Sequence, residues 1–221
     1  MKYLIVILLI SNLSFSQEWS KTRLNNLASI EFPNTPDKTN KNGGVYYSTS
    51  DDIGVYVVVI KNIGKPEMTE SGLPEFYEGV TSGTLAATEG DLLEKSEFQL
   101  DGIKGVEISY LANYNPQLPN LRYRRMLVVN NNLISFEFWT FEENEELASK
   151  NKDKFFNSID VSNAKIAELK NPENEEENSA YESGFLIGKV VFYLFIIGLI
   201  IGGILLIRKL TNKAKTSGNN V

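Results

Sequence analysis

The sequence predicts an α+β fold: an antiparallel sheet with two packed helices, followed by one C-terminal transmembrane helix. Three observations carry that prediction. Apolar residues alternate with period two in short runs separated by Asn, Asp and Gly turns. Two longer stretches keep helical spacing instead. Residues 185–207 are apolar apart from Lys189, a run long enough to cross a bilayer core at about 1.5 Å per residue.

The elements follow in order. Ser29–Phe32 alternates and stops at Pro33, a short first strand. Gly44–Ser50 and Ile53–Asn62 form a hairpin around Asp51-Asp52, the second arm rich in Val and Tyr. Leu73–Ala87 places Phe76, Val80, Thr84 and Ala87 at helical spacing, with Pro74 suited to a first turn. Gly79 and Gly83 inside it either weaken the helix or let it pack closely. Glu97–Leu100 and Val106–Tyr114 make a hairpin around Asp101-Gly102, with Val106, Ile108, Tyr110 and Ala112 on one face. Arg122–Val129 and Leu133–Phe141 are joined by three asparagines, which tolerate positive φ. Ile134, Phe136 and Phe138 are the expected core face. Glu142–Ile159 closes the domain as a helix, with Leu147, Phe155, Phe156 and Ile159 as its apolar content. Hairpins throughout indicate an α+β layer, not a doubly wound parallel sheet.

The ends set the expected organisation. Residues 1–16 read as a signal peptide: Lys2, a short apolar run, then Ser14 and Ser16 at −3 and −1, with cleavage before Gln17. Residues 17–164 are the extracytoplasmic domain and 165–184 an acidic stalk too poor in apolar residues to bury a core. The transmembrane helix covers 185–207, and 208–221 is a basic cytoplasmic tail. All 28 acidic residues precede residue 185, whereas Arg208, Lys209, Lys213 and Lys215 follow the apolar run with no acid among them. That bias places the C-terminus in the cytoplasm and the domain outside, which for a bacterium means the periplasmic side of the cell membrane.

Composition removes whole classes of chemistry. With no Cys there is no disulfide, thiol nucleophile or thiolate metal site, and with no His no Ser-His-Asp triad. The net charge of −6 argues against nucleic acid as a partner.

Four segments carry a resemblance: Ile30-Glu31-Phe32-Pro33, then Asp101-Gly102-Ile103-Lys104-Gly105-Val106-Glu107, Arg124–Val129 with its Asn turn, and Phe155-Phe156-Asn157-Ser158-Ile159. Over roughly Leu27 to Asp160 the chain resembles the PsbP-like α/β/α sandwich family. Members mostly act as binding or assembly accessories, so the resemblance implies such a role. The membrane helix departs from the photosystem members, so no photosystem function and no metal-site residue is carried over.

No catalytic, cofactor or metal site emerges. Glu142, Glu143, Glu145 and Glu146 sit where carboxylates stabilise a helix start, and no glycine loop with alternating oxygen ligands accompanies them. Arg122, Arg124 and Arg125 read as strand charges paired with nearby acids rather than as an anion site. The expected contact with a partner is the connection 113–121, twice interrupted by proline: Tyr114, Asn115, Gln117, Leu118 and Leu121. Gly198 and Gly202, four apart on one helix face, are the expected site of helix pairing into a homodimer. The favoured function is a membrane-anchored, non-enzymatic accessory that engages an envelope protein. The rival is a small-ligand sensing or carboxylate-dependent hydrolytic domain.

Overall fold

The computed structural model describes residues 19–41, 43–64, 72–162 and 180–190. The expected signal peptide, the rest of the membrane helix with Gly198 and Gly202, and the basic tail lie outside these residues. The strands are β1 Ser20–Leu24, β2 Ala28–Phe32, β3 Asp37–Lys41, β4 Gly44–Ser50, β5 Val55–Asn62, β6 Asp91–Leu100, β7 Ile103–Leu111, β8 Leu121–Val129 and β9 Asn132–Thr140. The helices are α1, Leu73–Thr88, and α2, Glu145–Asn157, preceded by a 3-10 turn at Glu142–Asn144. Residues 180–190 form a third helix, α3.

Strands β3–β9 make one antiparallel sheet in the order β3-β4-β5-β9-β8-β7-β6, and β1 pairs with β2 in a separate hairpin. The register brings Ser50, Val55, Thr140, Leu121, Leu111 and Asp91 to one end of the sheet. The β8–β9 turn is made by Asn130 and Asn131, both at positive φ, as its three asparagines suggest. Two strands escaped the sequence reading, β1 (SKTRL) and β3 (DKTNK), since each buries at most one residue and shows no apolar alternation. A charged β3 also guards the sheet edge against pairing with another chain.

The two faces of the sheet differ. On one, Tyr56, Val58, Ile60, Leu127, Val129, Ile134, Phe136 and Phe138 pack beneath α2 and the β1–β2 hairpin, joined by Phe32, Phe155 and Phe156. The buried residues of this face are hydrocarbon and aromatic, with the half-buried Arg125 lying over Phe156 at the margin. Leu147 is not part of it: at 72% exposure it stands outward from α2, and Ala148 takes the buried position. On the other face, Val106, Ile108, Tyr110, Met126 and Val128 lie under Phe76, Tyr77 and Val80 of α1. The layers therefore run helix, sheet, helix.

Helix α3 completes the second layer. A Cβ on Gly79 would fall onto the Tyr181 carbonyl and one on Gly83 onto that of Phe185; added to Gly184 or Gly188 it would strike the carbonyls of Phe76 and Val80. Four glycines thus let two parallel helices touch backbone to backbone, which no larger residue permits. Of the two expectations for Gly79 and Gly83, close packing holds. Ala180 is buried in the same layer, and Ile187 packs against both the α1 cluster and the cluster of Tyr46, Val57, Val59 and Trp139. The last residues of the expected stalk, 180–184, are accordingly helical and docked. So are residues 185–190 of the expected membrane helix, because their glycine spacing matches that of α1.

Tyr77 pins α1 to the sheet. The β7–β8 ladder ends at Gly105 and Leu127. There the Tyr77 hydroxyl accepts from Val128 N–H at 3.0 Å and donates to the Lys104 carbonyl at 3.1 Å. Burial pushes its phenol well above the ordinary tyrosine value.

Candidate functional site

Beneath α1 and α3 the central strands carry charge. Arg122 and Arg124 on β8 stand opposite Trp139 and Glu137 on β9, and all four are at most 3% exposed. Strand period two puts both arginines on the face that also holds Met126 and Val128. Arg124 Nη2 lies 2.7 Å from Glu137 Oε1, and its Nη1 donates to Thr84 Oγ1 at 2.5 Å, tying sheet to helix. Glu137 also accepts from Trp139 Nε1 at 2.9 Å and Ser135 Oγ at 3.2 Å. The Arg122 guanidinium lies over the Trp139 ring, 3.7 Å from its centroid, and donates to Tyr114 Oη at 3.1 Å and the Pro119 carbonyl at 3.3 Å.

The electrostatics follow from burial. Desolvation is the largest influence on Arg124 and disfavours its charged form, but the charge and hydrogen bond of Glu137 together with Tyr110 outweigh it and hold the guanidinium protonated. Burial, aided by the charge of Glu137, pushes the Tyr46 phenol up to about 12. The gap lined by Val59, Lys61, Val80, Arg124, Leu133 and Ser135 has no room for a water molecule. This cluster joins layers. It offers no reactant a place.

The 113–121 connection sits on top of the cluster, at the end of α1. The Thr88 carbonyl accepts from Asn113 N–H and Tyr114 N–H at 2.9 and 3.1 Å. Asn115 closes an Asx turn through its side-chain oxygen to Gln117 N–H at 2.9 Å. Asn120 Oδ1 accepts from Glu142 N–H at 3.0 Å. Tyr114, Asn115 and Leu118 are half-buried and Gln117 is exposed. Leu121 differs from expectation: at 2% exposure it is the first residue of β8, between Leu111 and Thr140, and presents nothing to a partner.

The remaining acids do not converge. Arg125 pairs with Glu107 at 2.7 Å on the opposite face, as a strand charge should. An open cleft of about 380 Å³ holds Asp51, Asp52 and Asn151. Asp51 is fully engaged there, accepting from Ile53 N–H, Gly54 N–H, the Tyr56 hydroxyl and Asn151 Nδ2. Among the described residues no group of three or more carboxylates gathers as a metal would require. The sequence reading passed over Glu137 and Trp139 and took Thr84 only as part of the packing face of α1. The one available signal was a Glu two residues before a Trp on an otherwise apolar strand.

No family model and no curated protein matches the chain. Among solved structures it is similar to cyanobacterial PsbP (CyanoP) from Synechocystis sp. PCC 6803, with a TM-score of 0.52 and 13% identity over 66% of this chain and 93% of that one. A protein of unknown function from Pseudomonas aeruginosa, PA94, described as a putative regulator, aligns with a TM-score of 0.39 and 9% identity over 62% and 92% of the two chains. The first likeness shows a PsbP-like fold, as the four sequence segments implied. The second is too distant to carry an argument.

Proposed function

We propose that this chain is a single-pass membrane protein whose PsbP-like domain stands outside the cytoplasm and binds a partner protein of the cell envelope, without catalysing a reaction. One observation carries the reading. The described part of α3 reaches Val190, and the sequence then runs uncharged to Ile207 before Arg208, Lys209, Lys213 and Lys215. Among the described residues no helix is itself long and apolar enough to cross a membrane, so the spanning part rests on the sequence of residues 190–207. An accessory role suits a domain whose buried charged residues, Arg122, Arg124 and Glu137, hold layers together. The half-exposed loop at Tyr114, Asn115, Gln117 and Leu118 is the surface offered to the partner.

Protease added to spheroplasts tests the topology: the domain should be removed and the tail spared. A protected domain rejects it. A photo-crosslinker at Gln117 tests the partner: it should yield one discrete adduct, lost when Tyr114 and Leu118 are both changed to Ser. An unchanged adduct rejects the loop as the contact.

A further inference from the structure

The glycine contacts fix a direction. Gly83 meets Phe185 and Lys189, whereas Gly79 meets Tyr181 and Phe185, so α3 runs parallel to α1. Gly188 lies beside Val80 and Thr84, one turn short of the end of α1 at Thr88. Val190 therefore points the chain toward the sheet end that carries Asp91, Leu111, Leu121 and Thr140.

Length then decides how far that end stands from lipid. Residues 190–207, at about 1.5 Å per residue, cover about 27 Å, close to the whole thickness of a bilayer core. To span, the run must enter hydrocarbon almost at Val190, beside the last turn of α1. No slack separates domain from membrane.

Exposed apolar residues concentrate at this same end. Among the described residues the large apolar side chains that stand in solvent are Leu92 (44%), Leu93 (55%), Leu147 (72%), Leu186 and Val190. Leu92 and Leu93 open β6 at a bulge, and Leu147 lies in the first turns of α2, which starts beside Asn120. Carboxylates dominate the charge here, with Lys95, Lys150 and Lys189 at its margin. Glu89, Asp91, Glu94, Glu142, Glu143, Glu145 and Glu146 are exposed, and residues 89–94, 112–120 and 141–149 contain no Lys or Arg. The opposite end carries both signs, with Lys41, Lys61 and Lys104 beside the exposed Asp101.

We infer that the end of the domain bearing Leu92, Leu93, Leu147 and the 113–120 loop docks in the headgroup layer of the bilayer that residues 190–207 cross. Leucines on a domain held this close enter the interface, as apolar side chains of peripheral anchors do. Its carboxylates face the ammonium groups of zwitterionic lipid and are repelled by an anionic leaflet. A partner reached by the 113–120 loop then stands in the same membrane. This inference rests on the spanning reading of residues 190–207.

The chain has no cysteine, so single Cys variants of the full-length protein can carry an environment-sensitive fluorophore in phosphatidylcholine vesicles. Leu93→Cys and Leu147→Cys report the docking end. Gln99→Cys, exposed toward the other end of β6, is the reference. Carbonate-resistant flotation with the vesicles reports spanning by itself. In floating protein, brominated lipid should quench the labels at 93 and 147 several-fold more than the label at 99. Added phosphatidylglycerol should shrink that difference. Gly184→Leu, which forces α3 off α1, should abolish it while flotation persists. Equal quenching at all three positions in floating protein overturns the docking surface and leaves this end to a protein. Loss of flotation overturns the spanning reading, and this inference with it.

Discussion

The two faces of one sheet solve the same packing problem with different chemistry. Under α2 the contacts are aromatic: Phe155 meets Phe32 at 5.6 Å, Tyr56 at 5.3 Å and Phe156 at 5.5 Å between centroids. Under α1 and α3 two guanidinium groups and a carboxylate take the central positions, with Trp139 and Thr84 completing them. Apolar burial holds layers together but leaves them several ways to sit. A buried ion pair bonded to one hydroxyl on the neighbouring helix leaves one. The glycine contacts between α1 and α3 need that exactness, since backbones in contact cannot slide.

The largest test breaks the polar face. Glu137→Leu strands Arg124 and should cost about 3–5 kcal/mol in urea unfolding of the detergent-solubilised chain. Adding Arg124→Met should recover most of that loss, because an apolar pair of similar volume replaces the charges. Phe155→Ala on the apolar face should cost a similar amount, about 3–5 kcal/mol, through the cavity it leaves. If the double variant stays as weak as Glu137→Leu, the two faces are not distinct in this way. A smaller effect sharpens the contrast. Tyr77→Phe leaves Val128 N–H and the Lys104 carbonyl unpaired and should cost about 1–3 kcal/mol. Hydrogen exchange at Val128 should rise first; unchanged protection there would rule out the bridge. The smallest effect lies outside both faces. Lys21 Nζ, 2.8 Å away, and then Ser162 hold the Asp160 carboxyl well below the usual carboxylate range. A depressed pKa stabilises the fold above the ordinary aspartate value, and the contribution fades as pH falls below it. Because Asp160 is exposed, Asp160→Asn should shift the urea midpoint only slightly at pH 6, and by progressively less as pH falls below the ordinary aspartate value. A shift that grows as pH falls would contradict the sign.

How much of this was legible in the sequence depended on which signal each element carried. Strands β4, β5, β8 and β9 and the core face Ile134, Phe136 and Phe138 were readable because period two survives wherever one face is buried. The α1 span was readable to within one residue. Strands β1 and β3 were not, because they are held by hydrogen bonds and carry almost no apolar pattern. Arg124 pairs with an acid as a strand charge was expected to, but the burial of Arg122 and Arg124 was not legible. A charge in a strand ordinarily marks the solvent side, and only the partner strand shows that Glu137 and Trp139 stand opposite them. The glycines of α1 were visible, but their partner was read as stalk and membrane. Two sequence-distant segments with matching spacing reveal their contact only once both are folded. Leu147 and Leu121 exchanged their expected roles, since helix phase and strand start each moved by a few residues.

The strand order has a consequence in time. β9 lies at the middle of the sheet, between β5 and β8, yet it is the last of the described strands along the chain. A chain made from its N-terminus presents β3–β5 as a hairpin assembly with an open edge on β5 until residues 132–140 arrive. Joining them brings together residues as far apart as Val55 and Trp139. Such late, non-local closure slows folding and exposes an unpaired edge meanwhile. Completion of this domain is therefore timed by the emergence of its centre, and a holdase that shields β5 would act in the interval before β9 arrives.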